Sequence, residues 1–273
     1  MPKANVFFIS DHTAITVETL GYSVLTQFVS IDFEFQTIPF MNSQTKAKSA
    51  VEKINHSFQS SGIAPVVFSS VTDPALRSII KEGRGIVLDL FDLFIPALEN
   101  AFHASPIQAS GKSHGMSDEH GYESRIDALN FALNCDDGIN FKDYKRADLI
   151  LVGVSRTGKT PTCLYLALQY GVFASNYPIT DEDLESFELP KPLQPYRDKI
   201  HGLSIDPDHL HRIRQERRPN SRYASMKQCY KEVSVVQEMF VREKIPFLDV
   251  THFSIEEISS TILYETGRKR SRI

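Results

Sequence analysis

The chain has 273 residues, a net charge of −4, 23% charged and 41% hydrophobic residues, which is the balance of an ordinary globular protein able to bury a large core. That charge excludes a surface built to coat nucleic acid. The most apolar later stretch, GIVLDLFDLFIPAL, is interrupted by Asp89 and Asp92 and cannot span a bilayer.

Short apolar runs alternate with longer amphipathic ones from the start, the signature of an α/β fold with largely parallel sheets covered by helices. Strands are predicted at 6–10, 34–40, 65–71 and 85–90, with helices at 13–28, 43–58, 73–82 and 91–103. These make an N-terminal βα domain over 1–103. Residues 104–121 hold Gly, Ser, His and charge without apolar period and read as a linker or mobile loop. A helix over 122–134 follows, then Asp136–Asp137–Gly138 at a turn, then the strand ADLILVGV. Further strands are predicted at 201–206 and 245–250, and helices at 160–171, 207–218, 223–243 and 254–266, giving a second domain over 122–273. No internal repeat is visible, and the basic tail GRKRSRI reads as solvated. Cys135, Cys163 and Cys229 form no C-x-x-C pair, which argues against a disulfide framework or zinc site and for a reducing, cytoplasmic setting. The N-terminal apolar run VFFIS is too short for a secretory signal.

The stretch GVSRTGKT at 153–160 fits the phosphate-loop pattern G-x-x-x-x-G-K-[ST], between a predicted strand and a predicted helix. In such a loop Gly153 and Gly158 permit positive-φ turns, and the N–H groups of Gly153, Val154, Ser155, Arg156, Thr157, Gly158, Lys159 and Thr160 curl around phosphate oxygens. Lys159, read as solvent-facing, would contact the outer phosphate and the Thr160 hydroxyl would ligate Mg²⁺. Pro161 falls in the first helical turn, where its missing N–H costs nothing.

Other candidates are carboxylates at predicted strand ends and turns. Asp11 follows the first strand, where open α/β sheets bind ligands, although Asp11, Thr13 and Thr16 also suit the start of the next helix. Asp137 lies just before the loop strand, and Asp89, Asp206 and Asp249 each end a strand, as the acidic residue that orients Mg²⁺ must. Five arginines between Arg212 and Arg222 suit either a solvated face or a clamp for phosphate or carboxylate, with Pro219 breaking the stripe. The absence of N-K-x-D, H-R-D and D-F-G sequences argues against a GTPase switch and a eukaryotic-type protein kinase. A kinase of a small hydroxyl metabolite and a nucleotide-sensing module stay open.

Taken together, ISDHTAITVETLG, DDG, GVSRTGKTPTCLYLA, ASNYPIT, GLSIDPDHL, IRQERRPNSRYAS and IPFLDVTHFSIEEI resemble the bifunctional kinase–pyrophosphorylase regulators of phosphoenolpyruvate-producing dikinases over almost the whole chain. The form D-H-T-A-I-T at 11–16 is more similar to the branch acting on phosphoenolpyruvate synthase than to the D-S-T-G-E-T branch acting on pyruvate, phosphate dikinase. The resemblance implies ADP-dependent phosphorylation of a threonine on the synthase, which inactivates it. It also implies removal of that phosphate with inorganic phosphate as co-substrate, releasing pyrophosphate. The nucleotide segment carries over onto Gly153–Thr160 without mismatch. Where the family carries His before DDG this chain has Cys135, so that position is left out of the site. The choice of acid/base among Asp11, Asp137, Asp206 and Asp249, and whether the chain forms a homo-oligomer, stay open.

Overall fold

A computed structural model describes residues 3–106 and 119–267 of the protein. The chain divides into two compact units, Met1–His114 and Gly115–Ile273. Most of the segment read as a linker, 107–118, lies outside the described residues, as does the basic tail from 268 onward.

The first unit runs β1 (Lys3–Ile9), α1 (Ile15–Leu25), β2 (Asp32–Ile38), α2 (Gln44–Ser61), β3 (Val66–Ser69), α3 (Pro74–Ile80), β4 (Ile86–Asp89) and α4 (Leu90–Phe102). Its strands form one parallel sheet in the order β2-β1-β3-β4. The alternation of side chains along β1 explains why its last four residues, all apolar, are all buried: Phe7 and Ile9 enter a cluster with Ala47, Ile54 and Leu76, while Val6 and Phe8 enter another with Val17 and Phe68. Helix starts follow local chemistry. Ser43 caps α2 by accepting from the Lys46 N–H, and Asp73 caps α3 ahead of Pro74 at its first turn.

The second unit runs α5 (Glu119–Asn134), short 3-10 turns at Asp136–Gly138 and Phe141–Arg146, β5 (Leu149–Gly153), α6 (Lys159–Tyr170), β6 (Ala174–Pro178), α7 (Asp183–Ser186), a turn at Gln194–Lys199, β7 (Ile200–Ser204), α8 (Pro207–Arg217), a turn at Arg222–Ala224, α9 (Met226–Arg242), β8 (Phe247–Asp249) and α10 (Ile255–Glu265). These strands are also parallel, in the order β6-β5-β7-β8. All five residues of β5 are buried, as a central strand covered on both faces requires. Both units are therefore α/β, with four-stranded parallel sheets flanked by helices.

The two sheets share one connectivity although the sequence shows no repeat. In each, the first strand is central, the second lies on one side, and the third and fourth lie on the other. The carboxyl ends of β1 and β5 thus stand at the topological switch point of their own sheets, where open α/β sheets form ligand crevices.

Candidate functional site

The switch point of the second unit holds the 153–160 loop. Gly153 closes β5 and is not in a positive-φ conformation, contrary to the sequence reading. Glycine is needed there for closeness: a Cβ would stand 2.3 Å from the carbonyl oxygen of Leu203 on β7. The left-handed residues are instead Arg156 (φ 82°) and Gly158 (φ 79°). Gly158 adopts that shape freely, whereas for Arg156 it costs about 1–2 kcal/mol, strain that the surrounding contacts must hold. Left-handed residues interspersed in a turn turn successive N–H groups toward a common concavity, and α6 then begins at Lys159 behind Gly158, an N-cap residue with no side chain to cap its first N–H groups.

Lys159 is the main correction to the sequence reading. It is 5% exposed, not solvent-facing, and its Nζ donates to the carbonyl of Val154 at 2.9 Å. The Thr157 hydroxyl donates to the same carbonyl at 3.1 Å, so the loop is drawn in around Val154. Burial lowers the Lys159 pKa from its usual 10.5 to about 8, with the carboxylates of Asp137 and Asp136 opposing the fall. A cation is held in a place that penalises its charge, and an anion beside it would relieve that penalty.

Thr160, the next residue, donates its hydroxyl to Oδ1 of Asp136 at 2.8 Å. The same Oδ1 accepts from the side-chain amide of Asn176 on β6, and the Asn176 oxygen accepts from the backbone N–H of Asp137 at 3.2 Å. Asn176 is fully buried and so holds the DDG turn against α6. Asp137 itself is exposed, with φ 49°, and acts on Lys159 through its charge. The sequence reading missed Asp136 as the partner of Thr160. It also left β6 unassigned, because ASNYP has a polar composition unlike a buried strand; its buried Ser175 and Asn176 belong to the site's polar scaffold.

The remaining carboxylates make other contacts. Asp206 caps α8 by accepting from the His209 N–H at 2.9 Å. Asp249 accepts from the N–H and hydroxyl of Thr251, and Thr251 in turn accepts from the Asp206 N–H. These two thus form one connected edge beyond β7 and β8. In the first unit, Asp11 accepts from the N–H and hydroxyl of Thr72, which joins the carboxyl ends of β1 and β3. Burial pushes its pKa up, but the bonds from Thr72 and His12 outweigh it and hold the carboxyl below its usual value. Asp11, Thr13 and Thr16 do not cap α1, whose N-cap is Ala14. Asp89 caps α4 and pairs with Arg77. Cys135 is buried, which pushes its thiol pKa up. Among the described residues no group of three or more His, Cys, Asp or Glu is placed to hold a metal ion.

The arginine run divides. Arg214 is completely buried and forms a two-pronged pair with Glu232 at 2.7 and 3.0 Å. It also donates to the carbonyls of Ser155 and Tyr223, both at 3.1 Å, and stacks 4.1 Å from the centre of the Tyr223 ring. Tyr223 completes the tie by donating its hydroxyl to the Ser155 hydroxyl at 3.0 Å. Arg214 is therefore a brace under the loop and not part of a solvated face. Arg217 and Arg218 are exposed beyond it, where α8 ends ahead of Pro219. The spacing of Arg214, Arg218 and Arg222 at i, i+4 and i+8 suggests one helical face and carries no sign of Glu232 as the partner of Arg214.

The sequence profile of the kinase/pyrophosphorylase family matches residues 6–263. Full-length relatives carry the name phosphoenolpyruvate synthase regulatory protein. One from Legionella pneumophila (strain Corby) is 50% identical over 98% of this chain and 99% of its own. One from Laribacter hongkongensis is 50% identical over 98% of each chain, and one from Halorhodospira halophila 51% identical over 97% of each. On these matches, the chain belongs to the kinase/pyrophosphorylase family.

Proposed function

We propose that the protein regulates phosphoenolpyruvate synthase from both directions, phosphorylating a threonine of the synthase with ADP as donor and removing that phosphate with inorganic phosphate to release pyrophosphate. The relatives' name supports the partner, and the family supports phosphotransferase chemistry. The observation that carries the reading is the buried ammonium of Lys159 at a helix start, beside a loop with left-handed residues at Arg156 and Gly158. Such a place favours a di-anionic phosphate.

Both directions move a phosphoryl group in line, with negative charge developing on its equatorial oxygens, so one set of loop N–H groups and one ammonium can serve both transition states. Gly153–Thr160 would bind the diphosphate, and Lys159 would balance the developing charge. Asp137, exposed and close enough to act on Lys159, would accept the threonine proton; the hydrogen bonds of Asp206 to the α8 cap and of Asp249 to Thr251 favour this choice over those two. Mg²⁺ prefers hard oxygen donors and binds through a few protein oxygens plus phosphate and water. Thr160 and Asp136 supply two such oxygens, and the ion would contribute charge neutralisation on the bound phosphates. The fold has the cysteine usage expected of a reducing cytoplasm, and no helix among the described residues is long and apolar enough to cross a membrane.

The test is to incubate the protein with purified synthase, Mg²⁺ and [β-³²P]ADP in the presence of an ATP-removing system, with the synthase supplied free and in its phosphohistidine form. The expected result is a labelled threonine with AMP as co-product, and release of labelled pyrophosphate once inorganic phosphate is added. Labelling that requires ATP would overturn the donor assignment.

A further inference from the structure

Beside the loop lies a recess of about 380 Å³ lined by Ser155, Arg156, Arg217, Arg218 and Tyr223. Its size is within the range of small-ligand sites. Its chemistry is one-sided. Three arginines line it, no acidic residue does, and among the described residues none of the three makes an ion pair or side-chain hydrogen bond. Like charges brought together without counter-charge repel one another, and guanidinium forks match the oxygens of phosphate.

The recess also has a fixed wall. Ser155 is held by its carbonyl to Arg214 and by its hydroxyl to Tyr223, while Arg214 is locked by Glu232. Arg156 comes from the loop, and Arg217 and Arg218 come from the end of α8, so two elements converge from different parts of the sequence. Holding a loop and a helix end together this way makes the arginines a site and not a scattered solvated face.

We infer that this recess is a second oxyanion subsite, taking a phosphate dianion next to the one bound by the 153–160 loop. Its place in the reaction rests on the function proposed above. Forming pyrophosphate requires two phosphate groups at once, one on threonine and one free. An oxygen of HPO₄²⁻ attacks the phosphorus of the threonine phosphate, a P–O–P bond forms and the P–O bond to threonine breaks. The proton of HPO₄²⁻ ends on the threonine oxygen, so that phosphothreonine and orthophosphate become threonine and P₂O₇⁴⁻. Before the P–O–P bond forms, the two groups are separate dianions that repel each other, and the arginine recess supplies positive charge for the second, either orthophosphate or the phosphate carried by the protein substrate.

The direct test is equilibrium dialysis with ³²P-orthophosphate at fixed ionic strength, with and without saturating ADP, on the wild-type chain and on R217Q/R218Q. The expected result is one phosphate retained in the presence of ADP, bound at least tenfold more weakly by the variant, while affinity for a fluorescent ADP analogue changes less than twofold. R156Q, on the other element, should weaken phosphate in the same way, with circular dichroism confirming that each variant is folded. No phosphate retained beside ADP, or equal binding by wild type and both variants, overturns the subsite. The source is separated by kinetics in the pyrophosphate-forming direction. A rise in KM for orthophosphate alone assigns the recess to the free ion, and a rise in KM for phosphorylated synthase alone assigns it to the ester. No change in either overturns its role in the reaction. Because dialysis needs no synthase, arginine-dependent phosphate retention together with an unmodified synthase would refute the proposed activity and leave the subsite standing.

Discussion

Replacing Lys159 with Met should make the second unit more stable while removing phosphoryl transfer. Burial, opposed by Asp137 and Asp136, lowers the Lys159 pKa from 10.5 to about 8. At about 1.36 kcal/mol per pKa unit, the folded protein pays about 3 kcal/mol to keep this side chain charged. Below pH 8 the side chain is protonated in both the folded and unfolded chains, and the whole cost is present. Between pH 8 and 10.5 the folded side chain loses its proton first, so the unfolded state binds more protons and stability rises with pH. Above 10.5 both forms are neutral and the cost is gone. Met keeps the apolar stem without the charge, and the Val154 carbonyl that loses the ammonium keeps the Thr157 hydroxyl. The variant should therefore exceed the wild type by about 2–3 kcal/mol at pH 7, the gap shrinking below about 1 kcal/mol at pH 10. Urea unfolding followed by circular dichroism at both pH values measures the difference, from which all other titrating groups cancel. A variant no more stable than wild type at pH 7, or a gap that does not change with pH, would refute the view of Lys159 as a penalised buried charge. Transfer at the wild-type rate in either direction would refute its role in the shared cradle, since losing one such contact costs about 10²–10³ in rate.

Arg214→Ala should destabilise the protein by about 3–5 kcal/mol, because it strands Glu232 in the interior. Arg214→Met combined with Glu232→Leu should regain most of that loss in urea unfolding yet still bind ADP more weakly, because Ser155 has lost its brace; restored ADP affinity in the double variant would show that the brace does not organise the loop. Asp136→Asn should preserve the fold but lower the transfer rate about 10²-fold or more and raise the Mg²⁺ concentration needed for half-maximal rate, as measured by initial rates across a Mg²⁺ titration. An unchanged Mg²⁺ dependence would assign Asp136 to positioning the turn alone.

The first unit and the loop were legible because both are written locally. Each βα pair carries its own apolar run and break, three of the four helices carry their own side-chain cap, and the loop's glycines, lysine and threonine lie within eight consecutive residues flanked by a strand and a helix. Failures occurred where the determining contact is distant in sequence. Asn176 lies 40 residues from Asp136 and Glu232 lies 18 from Arg214, and neither pairing leaves a periodic trace. For the same reason β6 was hidden: a strand whose inward side chains bond a polar turn does not look apolar. Lys159 was misjudged because motif chemistry specifies what the ammonium meets and says nothing of how deeply the side chain lies.

These misses share a physical cause that bears on how the site works. Local rules assume that charge seeks water and that strands bury apolar groups, and the second unit breaks both rules around one loop. Lys159 and Arg214 are buried cations, Arg156 holds a left-handed backbone, and Asn176 is a buried amide, all within the elements that meet Val154–Thr160. Glu232 neutralises Arg214 within the fold, so that residue's charge is spent on structure. Among the described residues Lys159 has no such ion-pair partner: its ammonium rests on a carbonyl, with the charges of Asp137 and Asp136 only partly offsetting burial. The difference separates a scaffold cation from a cation kept available, and it makes the Lys159 charge the one whose cost an incoming phosphate would relieve.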